Sequence, residues 1–188
     1  MQFLEKKVNK KGQFYFIAAL AIVAVLIGFT NIANYVKVEK QTEIYRLKEE
    51  ILVEKLAVLD YALYSEETPS EIMEILISFS KAYIQANPET NFYFILGNTT
   101  NLTVLAYQTY ESQIAFKSGS DINPIDLTAK QILPESFQNV NSDAGLILDY
   151  NEESLITHLT YEFQLKEGIN IYFVISSEKN DEKYITYS

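Results

Sequence analysis

Between Lys11 and Lys37 the sequence carries no charged side chain, and residues 13–36 are mostly Ile, Val, Leu, Ala and Phe. A helix that crosses the hydrocarbon core of a bilayer needs about 20 apolar residues at about 1.5 Å each. Leu, Ile, Val and Phe each favour insertion by about 0.3–0.6 kcal/mol near the bilayer centre. The run therefore predicts a transmembrane helix over 13–36. A removable secretory signal would have an apolar region of about 7–15 residues followed by an A-x-A-like site. Thr30-Asn31-Ile32-Ala33-Asn34 offers no such site, so an uncleaved anchor is expected at this point.

Lysine placement sets the direction of the span. Lys6, Lys7, Lys10 and Lys11 precede it, against Lys37 and Lys40 just after it. The positive-inside rule then puts a basic leader, residues 1–12, in the cytoplasm and the C-terminal domain outside the cell. The whole chain has a net charge of −10, which argues against nucleic acid as a partner because phosphates reward a basic surface. Cysteine is absent, which excludes disulfides, thiolate metal sites and cysteine nucleophiles together. Asn98-Thr99-Thr100 and Asn101-Leu102-Thr103 both match N-x-[ST], so Asn98 and Asn101 are candidate glycosylation sites at an exposed loop tip.

Residues 37–90 read as an extracytoplasmic helical hairpin. From Tyr35 to Tyr64 there is no Gly or Pro, and Ile44, Leu47, Ile51, Leu52, Leu56, Leu59 and Leu63 recur at helical spacing. Glu39 and Glu43, like Glu50 and Glu54, repel at a spacing of four, so a packed apolar stripe rather than charge pairing is expected to hold this helix. Thr68-Pro69-Ser70-Glu71 has the form of a capping box with proline at the first helical position. The apolar row Ile72, Ile75, Leu76, Phe79, Ala82 and Tyr83 follows, and Asn87-Pro88 stops it.

Residues 91–188 read as an antiparallel β head packed on those helices, one sheet of five to seven strands whose last three form a meander. Strands are expected at Asn91–Leu96, Leu102–Tyr107, Ser112–Lys117, Gly145–Tyr150, Leu155–Leu165, Ile169–Ile175 and Lys183–Tyr187. The tetrad Asn98–Asn101 turns the first pair, and Lys166-Glu167-Gly168 and Lys179-Asn180-Asp181 turn the last ones. Asp121 to Asn141, with Pro124 and Pro134, is expected to be a long loop with one helical turn. Alternation in 155–165 places Leu155, Leu159, Tyr161, Phe163 and Leu165 inward and His158, Thr160, Glu162 and Gln164 outward. The fold class is thus α+β, with a long N-terminal transmembrane and amphipathic helix plus a second helix on a β head.

Catalytic chemistry has little to work with. His158 is the one histidine and falls on the polar side of its strand, and no Ser or Asp stands at a triad-like spacing from it. Asp121, Asn123 and Asp126 depart from the EF-hand spacing and lack its glycine and final Glu. Neither a P-loop nor G-x-G-x-x-G occurs. No catalytic, cofactor-binding or metal-binding residue is assigned, and the chain is expected not to be an enzyme.

Lys10-Lys11-Gly12-Gln13, followed directly by the apolar helix, resembles the class III (prepilin-type) signal of archaeal type IV pilin-like proteins. That resemblance implies cleavage by a membrane prepilin peptidase after Gly12, on the cytoplasmic face, leaving Gln13 as the new N-terminus. It also implies a long helix leading into a β-rich head, and like subunits or other surface proteins as partners. Where the family carries Glu five residues into the mature chain, this sequence has Ile17, which points to a minor or non-polymerising member. The expected function is a pilin-like membrane-anchored surface protein, a structural subunit or adhesin. A single-pass sensor or binding ectodomain is the alternative.

Overall fold

Helix formers without Gly or Pro carry residues 43–64 through one helix, α1. The computed structural model describes residues 22, 23, 43–148, 159–179 and 182–188. The chain divides into two compact units, Met1–Glu43 and Ile44–Ser188. In the first, Ile22 and Val23 are helical and exposed. The rest of the expected span 13–36 and the leader 1–12 lie outside the described residues. Among the described residues no helix is long and apolar enough to cross a membrane.

In the second unit α1 buries Ile44, Leu47, Ile51 and Ala62. The expected stripe holds at its start and drifts at its end: Leu56 and Leu63 are 58% and 68% exposed. The buried row instead continues through Lys55, partly buried Val58, and Ala62, spaced by three and four residues. Lys55 lays its stem along the core, and its ammonium donates to Ile171 O at 3.3 Å and sits 5.6 Å above the Phe173 ring centroid. Burial lowers its pKa. An exposed charge pair, Arg46 to Glu50 at 3.2 Å, supports the helix from outside and contributes about 0.3–0.5 kcal/mol.

The helix ends in a Schellman motif, with Glu67 N donating to Ala62 O and Glu66 N to Leu63 O. Its left-handed position is held by Glu66 at φ 56° rather than by glycine. Pro69–Ala86 then forms α2 behind the expected capping box. Thr68 N donates to Glu71 Oε2 at 2.8 Å, and Glu71 N donates back to Thr68 Oγ1 at 3.4 Å. The Thr68 hydroxyl and amide hold the Glu71 carboxyl below its ordinary pKa, so this support is present above that range and is lost as the pH falls through the lowered value. Ile72, Leu76, Ser80, Tyr83 and Ile84 form the buried side, while Ala82 faces solvent. Tyr83 OH donates to Glu50 across to α1 at 3.5 Å, and burial, with Glu54 and Glu50 close by, raises its pKa.

The head is built from two antiparallel sheets instead of the expected one. The strands are β1 (Asn91–Gly97), β2 (Asn101–Tyr107), β3 (Ser112–Ser118), β4 (Asp121–Leu127), β5 (Ile132–Gln138), β6 (Asp143–Leu148), β7 (Leu159–Gln164), β8 (Asn170–Lys179) and β9 (Glu182–Tyr187). One sheet has the order β5-β2-β1-β8-β9 and the other β4-β3-β6-β7. The β1–β2 and β8–β9 hairpins form as expected, whereas β7 and β8, on either side of the expected turn Lys166-Glu167-Gly168, fall in different sheets. β1 also pairs with β8, and β2 with β5, across long stretches of chain.

Pro124 and Pro134 lie in β4 and β5, so the expected loop over 121–141 is in fact two strands. Each is the outermost strand of its sheet, where a missing N–H costs no ladder bond. Prolines signalled an interruption in the sequence, whereas they mark edges.

Alternating residues of the five-stranded sheet enter two separate cores. Phe92, Phe94 and Leu96, with Leu105, Phe173 and Ile175, pack with Leu47, Ile51, Ile72 and Leu76 of the helices. Tyr93, Ile95, Val104 and Val174 pack with Ile114, Phe116, Leu146 and Phe163 of the second sheet. The result is α+β, with two helices packed on antiparallel sheets. The helices cover one face of the central sheet, and the second sheet covers the other, a layer that the expected single sheet lacked. The inward row holds at Phe163 in β7 and at Leu165 just after it, both 5% exposed, and fades at Leu159, 37% exposed. Leu155 and His158 lie outside the described residues.

Phe94 is fully buried, stacked on Phe92 at 5.9 Å and near Phe173 at 6.2 Å. Phe94→Ala is expected to cost about 3–5 kcal/mol, read as a lower denaturant midpoint at unchanged slope. Glu66→Gly relieves the left-handed strain and is expected to stabilise by up to about 1 kcal/mol in the same measurement, the greater freedom of unfolded glycine offsetting part of the gain.

Candidate functional site

The two sequons form the turn between β1 and β2. Gly97 opens it at φ 123°, where a Cβ would come within 2.2 Å of Asn101 O, so glycine is required. Asn98 N donates to Asn101 O at 2.9 Å. The Asn98 carboxamide oxygen accepts from Thr100 N and Asn101 N, each at 2.9 Å, which makes an Asx turn.

Other segments grip this turn. Val140 N donates to Thr99 O at 2.8 Å and Asn139 N to Thr100 O at 3.1 Å. From the far side Asn170 Nδ2 donates to Gly97 O at 3.1 Å and also to Lys166 O and Gly168 O. Asn98 and Thr99 are half-buried, and Thr100 and Asn101 are exposed, so the loop-tip expectation holds more fully for the second asparagine. The signal that could have found Asn170 is weak: it is a single polar residue at the start of a strand, within the expected run Ile169–Ile175.

A depression of about 520 Å³ lies on the four-stranded sheet, lined by Lys117, Gly119, Asp143, Glu162 and Gln164 together with Ala144 and Phe163. Lys117 and Glu162 flank Gly145 in the strand register. Lys117 Nζ lies 3.5 Å from Glu162 Oε1, with side chains 37% and 77% exposed, so the pair contributes at most about 1 kcal/mol. The lining offers hydrogen-bonding groups to a small polar molecule, and neither a histidine nor a cysteine. Sequence reasoning missed this hollow because its residues meet from three strands separated in the chain.

The EF-hand-like trio does not converge. In β4, Asp121 and Asn123 share one face and Asp126 lies on the other, where it accepts from Gln113 Nε2 at 2.7 Å. Among the described residues no group of three or more His, Cys, Asp or Glu side chains could hold a metal. The processing residues Lys10, Lys11, Gly12 and Gln13, and Ile17, lie outside the described residues.

The outward side of α1 adds a third feature. Tyr45, Val53, Leu56, Leu63 and Tyr64 are 51%, 68%, 58%, 68% and 89% exposed. Tyr45, Val53, Leu56 and Leu63 fall within a quarter-turn of one another around the helix. An exposed apolar row of this extent on one element is a mark of a surface that packs on something else.

Asn98→Ala removes two backbone bonds from the turn and is expected to lower stability by about 1–2 kcal/mol in chemical denaturation. Asn101→Ala at the exposed neighbour should change it by less than about 0.5 kcal/mol.

No protein-family model matches the chain, and comparison with curated proteins and with solved structures finds none that is similar.

Proposed function

We propose that this chain is a pilin-like, membrane-anchored surface protein, a structural subunit or adhesin whose β-rich head lies outside the cell. The observation that carries this reading is the charge-free apolar run 13–36 placed directly behind Lys10-Lys11-Gly12. Such a run is long enough to span a bilayer, and the lysines before it orient the acidic bulk outward. The apolar row along α1 supports the same reading: it gives the head a surface suited to packing with other surface proteins. The role is binding and assembly, not catalysis.

A second reading, a single-pass binding ectodomain, draws on the polar hollow lined by Lys117, Asp143 and Glu162. Its volume falls in the range of small-molecule sites, although its lining is more polar than most. The two readings differ at the N-terminus.

N-terminal sequencing of the protein purified from its membrane separates them. The pilin-like reading expects Gln13 as the first residue. At 21.6 kDa for 188 residues, loss of residues 1–12 lowers the intact mass by about 1.4 kDa. Gly12→Val is expected to leave the leader attached. An intact leader on the unaltered protein would overturn the pilin-like reading, and recovery of the full chain in the aqueous phase would overturn both.

A further inference from the structure

The sequons occupy six consecutive residues, Asn98 to Thr103, yet the fold uses their asparagines differently. Asn98 is half-buried, and its carboxamide oxygen is held by two backbone N–H groups of the turn. Asparagine performs this role in tight turns whether or not a threonine follows two residues later. The first sequon is therefore accounted for by turn geometry alone.

Nothing comparable accounts for the second. Asn101 is the exposed first residue of β2, and its side chain makes no hydrogen bond among the described residues. Its backbone is fixed in an extended strand opposite Gly97's end of β1 on one side and Gln138 on the other. In a strand, residues two apart project from the same face, about 6.7 Å from each other. Asn101 and Thr103, the two side chains that define the sequon, are thus presented together at the open end of β2. The Thr103 hydroxyl is only loosely engaged, 3.5 Å from Ser136 Oγ. A group attached to Asn101 would disturb none of the bonds that hold the turn.

We propose that Asn101 carries an N-linked glycan and that Asn98 remains unmodified as the cap of the turn. This rests on the extracytoplasmic placement of the head. The donor is a glycan linked through phosphate or diphosphate to a membrane polyisoprenoid. Asn101 Nδ2 bonds to the anomeric carbon of the sugar and gives up one proton. The bond from that carbon to the phosphate oxygen breaks, and the lipid phosphate leaves with the electron pair. No oxidant or reductant is needed.

The test is peptide mapping by mass spectrometry of the full chain, purified from the membranes of the cells that naturally make it, alongside protease treatment of intact cells. An increment of one sugar or more is expected on Asn101. It should be lost entirely in Asn101→Gln and in Thr103→Val, and kept in Thr100→Val, which deletes the first sequon while leaving the Asn98 carboxamide in place. An increment on Asn98 that disappears in Thr100→Val overturns the proposal. So does an unmodified Asn101 on a head that protease digests from outside, and in that case the surface placement survives. A head protected until the cells are opened overturns the placement and the glycan together.

Discussion

A sheet whose central strand has no wet side must be covered twice, and the rest of this head follows from that requirement. All seven residues of β1 are buried. An antiparallel strand with one solvated face would alternate apolar and polar side chains, but Asn91-Phe92-Tyr93-Phe94-Ile95-Leu96 is apolar on both faces after its first residue. Phe92, Phe94 and Leu96 call for one apolar layer, and Tyr93 and Ile95 for another. The helices supply the first and the four-stranded sheet the second. Where the chain passes between the sheets, polar side chains are enclosed and matched: Asn91 accepts from Thr109 N at 2.8 Å and donates to Ser176 Oγ at 3.2 Å, and Gln108 bridges Tyr93 OH and Ser112 Oγ. Among the described residues no buried side-chain nitrogen or oxygen lacks a partner.

Local signals were legible in the sequence and sheet assignment was not. The start of α2 could be read residue by residue because a capping box is a short-range interaction among Thr68, Pro69 and Glu71. The turns at Asn98–Asn101 and after Lys166 were legible for the same reason. Pro124 and Pro134 misled because a proline reports only that one N–H is missing; whether that position is a loop or an outer strand depends on a neighbour elsewhere in the chain. Likewise β1 and β8 pair through a register that no local pattern announces. The α1 stripe drifted because Lys55 occupies a core-facing position, which hydropathy assigns to solvent until its stem and its bond to Ile171 O are seen.

The candidate site was legible only where a motif names its own atoms. The sequons were found by pattern, but pattern alone treated Asn98 and Asn101 as equals. What distinguishes them is which carboxamide the turn already engages, a fact of three-dimensional geometry. The hollow on the four-stranded sheet had no sequence signature, because Lys117, Asp143 and Glu162 come together only through the β3-β6-β7 pairing. The Asp121, Asn123 and Asp126 trio, already set aside on its spacing, is near in sequence yet lies on opposite faces of one strand.

The pairing of β1 with β8 has a consequence for the order of events as the chain is made. The innermost strand is complete by Gly97, but its second neighbour begins at Asn170. Until nearly the last residue has been delivered, the central sheet can hold only β1, β2 and β5, with one flank of its middle strand open. Such long-range closure is slow compared with helix or hairpin formation. A polypeptide made from its N-terminus thus keeps its central sheet unfinished for most of its synthesis and closes it only when β8 arrives.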